Sequence, residues 1–273
     1  MDITVLFTCH NRIDATRKCV NSLDDPGFNI RYVAVDDGST DGTGEMLKGF
    51  ARERQRELEL IQGDGTLYWA GGMRLAMEHL QNQLKAGDYL LLVNDDVDFF
   101  GEVIKKMLAI ARENKNCCIV GATCDESGAI THGGLLYDTK RFRTKRIDID
   151  SDSLICDVAD MNAFLIPYSI FKVMGAFDRH YSHSMADYDY CFELKRRGYK
   201  TLMTDFYVGL CKSNEVYGTW RDSDLSIYRR LCLKHSPKGL PFKEWFYYIN
   251  KNFGLRQALW HSFTPYIRIL IGD

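Results

Sequence analysis

Residues 90–100 read LLLVNDDVDFF. Four apolar residues, Leu90 to Val93, run straight into Asn94, Asp95, Asp96 and then Asp98. A short apolar run bounded by polar residues is the pattern of a strand buried on both faces. Carboxylates this close repel one another, and each loses hydration if partly buried. The stretch therefore predicts an interior strand aimed at a site that receives positive charge.

The same pattern recurs upstream. Ile3–Thr8 is an apolar run rich in β-branched residues and is followed by Cys9-His10-Asn11-Arg12. Residues 32–35 form a second strand candidate, followed by Asp36-Asp37-Gly38-Ser39-Thr40-Asp41. Helical stretches are expected over 14–23, 44–56, 71–84 and 103–111, with strands over 57–61 and 89–93. Alternating strands and helices predict a mostly parallel, doubly wound α/β sheet. In such sheets ligands bind beyond the carboxyl ends of the strands, where the three polar clusters fall. Downstream, 125–128 reads as a hairpin turn, 158–167 as a late strand, 187–197 as a helix and 201–203 as a brief strand.

A chain of 273 residues suits one large domain or a domain with an extension. A formal net charge of −2 excludes the global basic field of a nucleic-acid binder. From Arg221 onward, nine Lys or Arg face four Asp or Glu. That change near Trp220 is the best candidate boundary: a catalytic domain over 1–219, in halves of about 1–98 and 99–219, and a basic, aromatic helical extension over 220–273. Nine cysteines without a CxxC pair read as reduced thiols in a cytoplasmic protein. The first residues lack the basic stretch and apolar core of a secretory signal, and no segment reaches the ~18 apolar residues of a membrane span.

Each polar cluster has a chemical and a bland reading. Asp36 and Asp37 can accept hydrogen bonds from a base or ribose edge, or can form an Asp/Ser turn and helix cap. Asp95 and Asp96 can hold a hard divalent cation, since Mg²⁺ is commonly bound by one or two carboxylates plus substrate phosphates. They can equally form a solvated loop. Trp69-Ala70-Gly71-Gly72 opens a helix where backbone N–H groups could meet a phosphate, or where glycines allow close packing. Asp187 and Asp189 open another helix, as a general base with its neighbour or as first-turn charges.

Taken together the clusters resemble family 2 glycosyltransferases, which use the GT-A nucleotide-diphospho-sugar fold. The resemblance covers about Ile3 to Lys212 and rests on V35-D36-D37-G38-S39-T40-D41-G42-T43, N94-D95-D96 in place of the family's DxD, G175-A-F-D178, and A186-D187-Y188-D189. It implies that Asp36 and Asp37 bind base and ribose, that Cys9, Asn11, Arg12 and Gly71 lie along the nucleotide, and that Asp95 is close to sugar or ribose. It implies Asp96 as ligand of Mg²⁺ or Mn²⁺ and Asp187 as the base of an inverting transfer, with Asp189, Trp69, Asn162 and Trp220 supporting or lining the acceptor side. Three departures stand out. Asn94 replaces the first Asp, Ala186 replaces a frequent Glu, and Cys211 falls near where many relatives carry a metal-binding His; His132 or His183 is the alternative.

The implied partners are a UDP, dTDP or GDP sugar and a glycan or lipid-linked acceptor in surface polysaccharide synthesis, with no nucleic acid. A non-catalytic sugar-nucleotide or glycan-binding module is the second reading, and a nucleotidyltransferase ranks last because CHNRID is a poor phosphate loop. The tail reads as a helical pair capping the domain, its aromatics buried. A peripheral membrane contact through Trp245, Phe246, Tyr248, Phe253 and Trp260, at the inner face of the membrane, is the sharper alternative.

Overall fold

The computed structural model describes residues 2–140, 142–213 and 215–272. The first half alternates as expected: β1 (Ile3–Cys9), α1 (Ile13–Leu23), β2 (Ile30–Asp36), α2 (Thr43–Arg54), β3 (Glu57–Gln62), α3 (Tyr68–Leu80), β4 (Tyr89–Val93), β5 (Asp98–Phe99) and α4 (Val103–Glu113). The second half adds β6 (Cys117–Cys124), β7 (Ile130–His132), β8 (Gly134–Asp138), β9 (Arg143–Arg146), β10 (Ile155–Cys156), β11 (Val158–Ala159), β12 (Ala163–Pro167), α5 (Tyr168–Met174), α6 (Ala186–Arg196) and β13 (Lys200–Leu210). Four helices end the chain: α7 (Ile227–His235), α8 (Phe242–Phe253), α9 (Leu255–His261) and α10 (Thr264–Ile271).

The main sheet runs β10-β13-β6-β12-β4-β1-β2-β3, with β5 against β13 and β7 against β6. Strands β3, β2, β1 and β4 are mutually parallel, as are β6 and β13. β12 runs antiparallel between β4 and β6. The chain moves outward from β1 through β2 to β3, then returns to the other side of β1 with β4. That reversal is the switch point at which α/β sheets open a crevice. Strands β11, β8 and β9 make a small second sheet.

Period-two alternation divides β4 between two cores. Leu90 and Leu92 join a cluster with Met73, Met77 and Leu80 of α3. Leu91 and Val93 join the opposite cluster with Val20, Phe50 and Leu108. Helix α3 lies close on β1, because a Cβ on Gly72 would stand 2.4 Å from Thr8 Oγ1. The glycine here allows helix–strand approach.

Several expectations change. The brief strand at 201–203 is the start of the 11-residue β13, whose bulges between Met203 and Gly209 break the alternation that would have revealed it. The late strand at 158–167 divides between the two sheets as β11 and β12. The helix expected over 71–84 starts earlier and ends at Leu80.

The tail is four helices instead of a pair, and most of the aromatics of α8 face inward. Tyr248, Ile249 and Ala258 lie in the core shared with α3 and β4, and Trp245, Phe246 and Phe253 pack against it. This removes Tyr248 altogether from a membrane-facing role and leaves Trp260 as the exposed member of the expected set. Lys251 of α8 reaches Asp189 of α6 at 2.6 Å and Asp178 at 2.8 Å, and Asn252 Nδ2 donates to Asp189 at 2.8 Å. Asp189 is buried, and these partners offset the loss of hydration of its carboxylate. Replacing Lys251 by Ala should lower stability by about 3 kcal/mol in urea unfolding, while Arg256→Ala on the exposed side of α9 should stay within ~0.5 kcal/mol; equal effects would show that the clamp is not what fixes the tail.

Candidate active site

Register brings the polar clusters to one edge. Cys9 pairs with Asp36 across β1 and β2, and Leu6 pairs with Leu92 across β1 and β4. Ala163 pairs with Val93, so Asn162 enters β12 where Asn94 leaves β4, and Asn94 N–H donates to Asn162 O at 3.1 Å. Leu210 pairs with Cys124, which delivers Cys211 to the same edge. Above this edge opens a cleft of about 900 Å³. Cys9, Arg12, Asp37, Trp69, Asp95, Asp96, Asn162, Asp187 and Trp220 line it.

Four residues expected at the site do not line the cleft. Asp36 is buried and its Oδ1 accepts from Ser39 N–H at 3.0 Å, forming the Asp/Ser turn. Asn11 folds back on the next loop, its Oδ1 accepting from Thr40 N–H at 2.7 Å. Gly71 lies inside α3 and its N–H donates to Ser182 O at 3.3 Å. Asp189 faces away, into the Lys251 clamp. Its part is support of the tail.

Asp37 does two jobs. It lines the cleft, and its carboxylate accepts from the N–H groups of Gly65, Leu67 and Tyr68 at 2.8, 3.0 and 3.1 Å. It thereby orders the loop that opens α3 and sets Tyr68 and Trp69 on the cleft wall. Trp69 Nε1 donates to Asn94 Oδ1 at 2.8 Å. Asn94 is thus engaged by an indole where the family's first acidic residue would stand.

The carboxylate knot has a cation from within the chain. Arg12 Nη1 lies 3.0 Å from Asp95 Oδ1 and Nη2 lies 2.7 Å from Asp96 Oδ2. Asp95 is buried and also accepts from Thr16 Oγ1 at 3.1 Å. Burial pushes its carboxyl up to about 6, Arg12 pulls it down and Asp96 pushes it up. The other oxygen of Asp96 faces Cys211 Sγ at 3.9 Å.

Among the described residues no three His, Cys, Asp or Glu side chains converge as metal ligands. Asp96 is the more exposed carboxylate of the knot, and a thiol is a soft partner for a hard ion. This donor set fits a cation that takes most of its shell from substrate phosphate and water, and does not fit one held by protein alone.

On the opposite wall a buried network surrounds Asp187. Asp160 accepts from Arg146 Nη1 at 2.8 Å and from Tyr188 Oη at 3.1 Å, and lies 3.5 Å from His132 Nδ1. His132 Nε2 meets Lys212 O at 3.0 Å. Burial opposes protonation of His132, but the bonds to Asp160 and Cys211 outweigh it and hold the ring up at about 10. Asp187 opens α6, where the helix terminus favours a carboxylate. Burial, and next the charge of Asp160, nevertheless push it up to about 7.

The tail completes the cleft, and beyond Trp220 its residues there were not foreseen from the sequence. Leu233 and the turn Ser236-Pro237-Lys238-Gly239 line it beside His183. His183 Nδ1 is buried with no hydrogen-bond partner among the described residues, and burial followed by Lys238 lowers its pKa to about 4. The Pro-Lys-Gly turn was the available signal.

A parallel sheet with a carboxylate-lined crevice at its switch point, closed by late helices, defines the GT-A class of sugar-nucleotide transferase folds. The model of glycosyl transferase family 2 matches residues 4–169, and the chain belongs to that family. It is 34% identical over 95 residues to the glycosyltransferase GlyA of Streptococcus pneumoniae, a match covering 34% of this chain and 13% of GlyA. The chain thus matches a small part of that relative's length. Among solved structures it resembles the mannosyltransferase PcManGT of Pyrobaculum calidifontis in complex with GDP-Man and Mn²⁺, at TM-score 0.62 and 13% identity over 99% of this chain and 73% of that one. It also resembles TarS 1–349 of S. aureus, at TM-score 0.59 and 13% identity over 98% of this chain and 81% of that one. GalNAc-T7 with UDP, GalNAc and Mn²⁺ aligns at TM-score 0.57 and 13% identity, over 80% of this chain and 46% of that one. At such identities the likeness is one of fold.

Removing Arg12 leaves Asp95 buried beside Asp96 without its countercharge. Asp95 already has a raised pKa, and Arg12→Gln raises it further, so the variant loses stability as pH rises. The loss should be smallest near pH 4, where Asp95 is protonated in the folded wild type and variant alike, and grow by about 1–2 kcal/mol by pH 8. Urea unfolding at both pH values checks this; a loss independent of pH contradicts it.

Proposed function

We propose that this chain is an inverting glycosyltransferase, moving a sugar from a nucleoside-diphosphate donor to a glycan or lipid-linked glycan acceptor hydroxyl. The observation that carries the reading is the placement of Asp187. It stands in the same cleft as the Arg12–Asp95–Asp96 knot and the Asp37 loop, with a pKa of about 7. A general base works best when its pKa lies near the operating pH.

The donor's nucleotide lies along Cys9, Arg12 and Asp37, between β1 and β2, with its diphosphate toward Asp96. Arg12 holds Asp95 and Asp96 in place. A divalent cation, Mg²⁺ or Mn²⁺, held by Asp96 together with the donor phosphates would supply neutralisation of the leaving diphosphate. The acceptor hydroxyl enters between Asp187, Asn162 and Trp220. Asp187 takes its proton as the oxygen bonds to C1 of the sugar and the bond from C1 to the diphosphate oxygen breaks. One displacement inverts the anomeric centre. Tyr188 and Arg146 fix Asp160, and Asp160 in turn keeps Asp187 basic enough to accept the proton. His183 and Lys238 line the cleft beside this path, and Lys238 adds positive charge there.

The second reading, a binding module without turnover, draws on Asn94, whose side chain is taken by Trp69. Transfer assays decide between the two. Asp187→Asn should keep nucleotide binding and lose transfer by roughly 10²–10⁴-fold. Nucleotide binding with no transfer by the wild type, across a panel of donors and acceptors, would favour the module.

The raised pKa gives the pH dependence a definite sign. Asp187 must be ionised to act, so log kcat/KM should climb as pH rises toward about 7 and level above it. The same ionised carboxylate is unfavourable in the folded state above that pH. Asp187→Asn should therefore stabilise the protein at pH 8 by on the order of 2 kcal/mol, and by little near pH 4. Thermal unfolding of both proteins at the two pH values reads this out, and a destabilised variant at pH 8 refutes the assignment of strain to that residue.

A further inference from the structure

We propose that the outer face of α9 and α10 docks on an anionic lipid surface. Leu255, Leu259 and Trp260 of α9 and Ile267, Leu270 and Ile271 of α10 are each more than half exposed. On α10, Ile267, Leu270 and Ile271 share one face at i, i+3 and i+4 spacing, opposite the buried Ile269. α9 and α10 are in contact, and exposed apolar residues gathered on two adjoining helices mark an interaction surface. It shares only Trp260 with the aromatics singled out in the sequence; Trp245, Phe246, Tyr248 and Phe253 belong to or pack against the core.

Charge identifies the occupant. Among described residues 225–272, Arg229, Lys238, Lys243, Arg256 and Arg268 are exposed. The one acidic residue of that span, Glu244, is turned inward, its carboxylate accepting from Ser182 N–H and Oγ–H at 3.1 and 2.7 Å. Arg256 and Arg268 lie within the apolar helices themselves. Apolar residues interleaved with arginine, with no exposed carboxylate among described residues 225–272, suit the headgroup boundary of an anionic bilayer. A symmetric pairing of two copies through this face would set the same arginines against each other. Helices of seven and eight residues are long enough to lie in that boundary. Among the described residues no helix is long and apolar enough to cross a membrane.

The face is tied to the cleft. α10 packs on α7, whose end and following turn line the cleft. Arg230 of α7 donates from Nε to Trp220 O at 3.0 Å and from Nη1 to Ile269 O at 3.2 Å, joining the docking helix to the cleft wall.

Vesicle co-sedimentation tests this without any sugar transfer. The protein should sediment with phosphatidylcholine vesicles carrying phosphatidylglycerol, far less with phosphatidylcholine alone, and less as salt is raised. Arg256→Gln with Arg268→Gln should weaken the partition roughly 25-fold, and Leu259→Ser with Ile267→Ser should abolish it. All four side chains are exposed, and unchanged circular dichroism and melting show that the variants fold. No sedimentation, equal binding to both vesicles, or a dimer in light scattering that the serine variant dissolves would each overturn the proposal.

Discussion

The gathering of negative charge at one edge of a parallel sheet is the constraint on which the rest of this structure depends. Asp37, Asp95, Asp96, Asp160 and Asp187 all line a single cleft. Each is offset differently. Asp37 is held by three backbone N–H groups, Asp95 and Asp96 by Arg12, and Asp160 by Arg146 and His132. Asp187 accepts from the N–H of Tyr188, but burial and then the charge of Asp160 push it up to about 7. Unequal compensation separates carboxylates of the same type into different tasks.

The helical tail belongs to this arrangement. Its core residues are continuous with those beneath β4, its lysine neutralises Asp189 two positions from Asp187, and its turn at Ser236–Gly239 forms part of the cleft wall. The cleft of this family 2 member is thus shaped by residues beyond the 4–169 span that the family model matches.

Much of the first half was legible because strand and helix patterns there are local. The run Leu90–Val93 could only be an interior strand, and the polar clusters after three such runs located the crevice. Adjacency hid the finer roles. Asp36 and Asp37 are neighbours, yet one turns into a tight loop and the other toward the cleft, a choice set by β2 alternation and the path of residues 63–68. Gly71 and Gly72 looked like a phosphate approach, but they meet Ser182 and Thr8. Arg12 was placed near the nucleotide, while its reach to residues 83 and 84 positions away comes from β1 lying beside β4. The tail was legible in outline, as a helical cap with aromatics inside, but not in its number of helices or in which residues stay outside. Its aromatics and basics are interleaved in sequence, and only the packing of α8 shows which face is interior.

The most direct test of the account is calorimetric titration with UDP, GDP and dTDP, each with and without Mn²⁺, on the wild type and on Asp96→Ala. The account predicts that one nucleotide binds, that Mn²⁺ tightens it, and that Asp96→Ala loses the metal's contribution while the fold persists. Binding of none of the three to the folded protein would contradict it, and would assign the carboxylate-lined crevice to a ligand other than a sugar nucleotide.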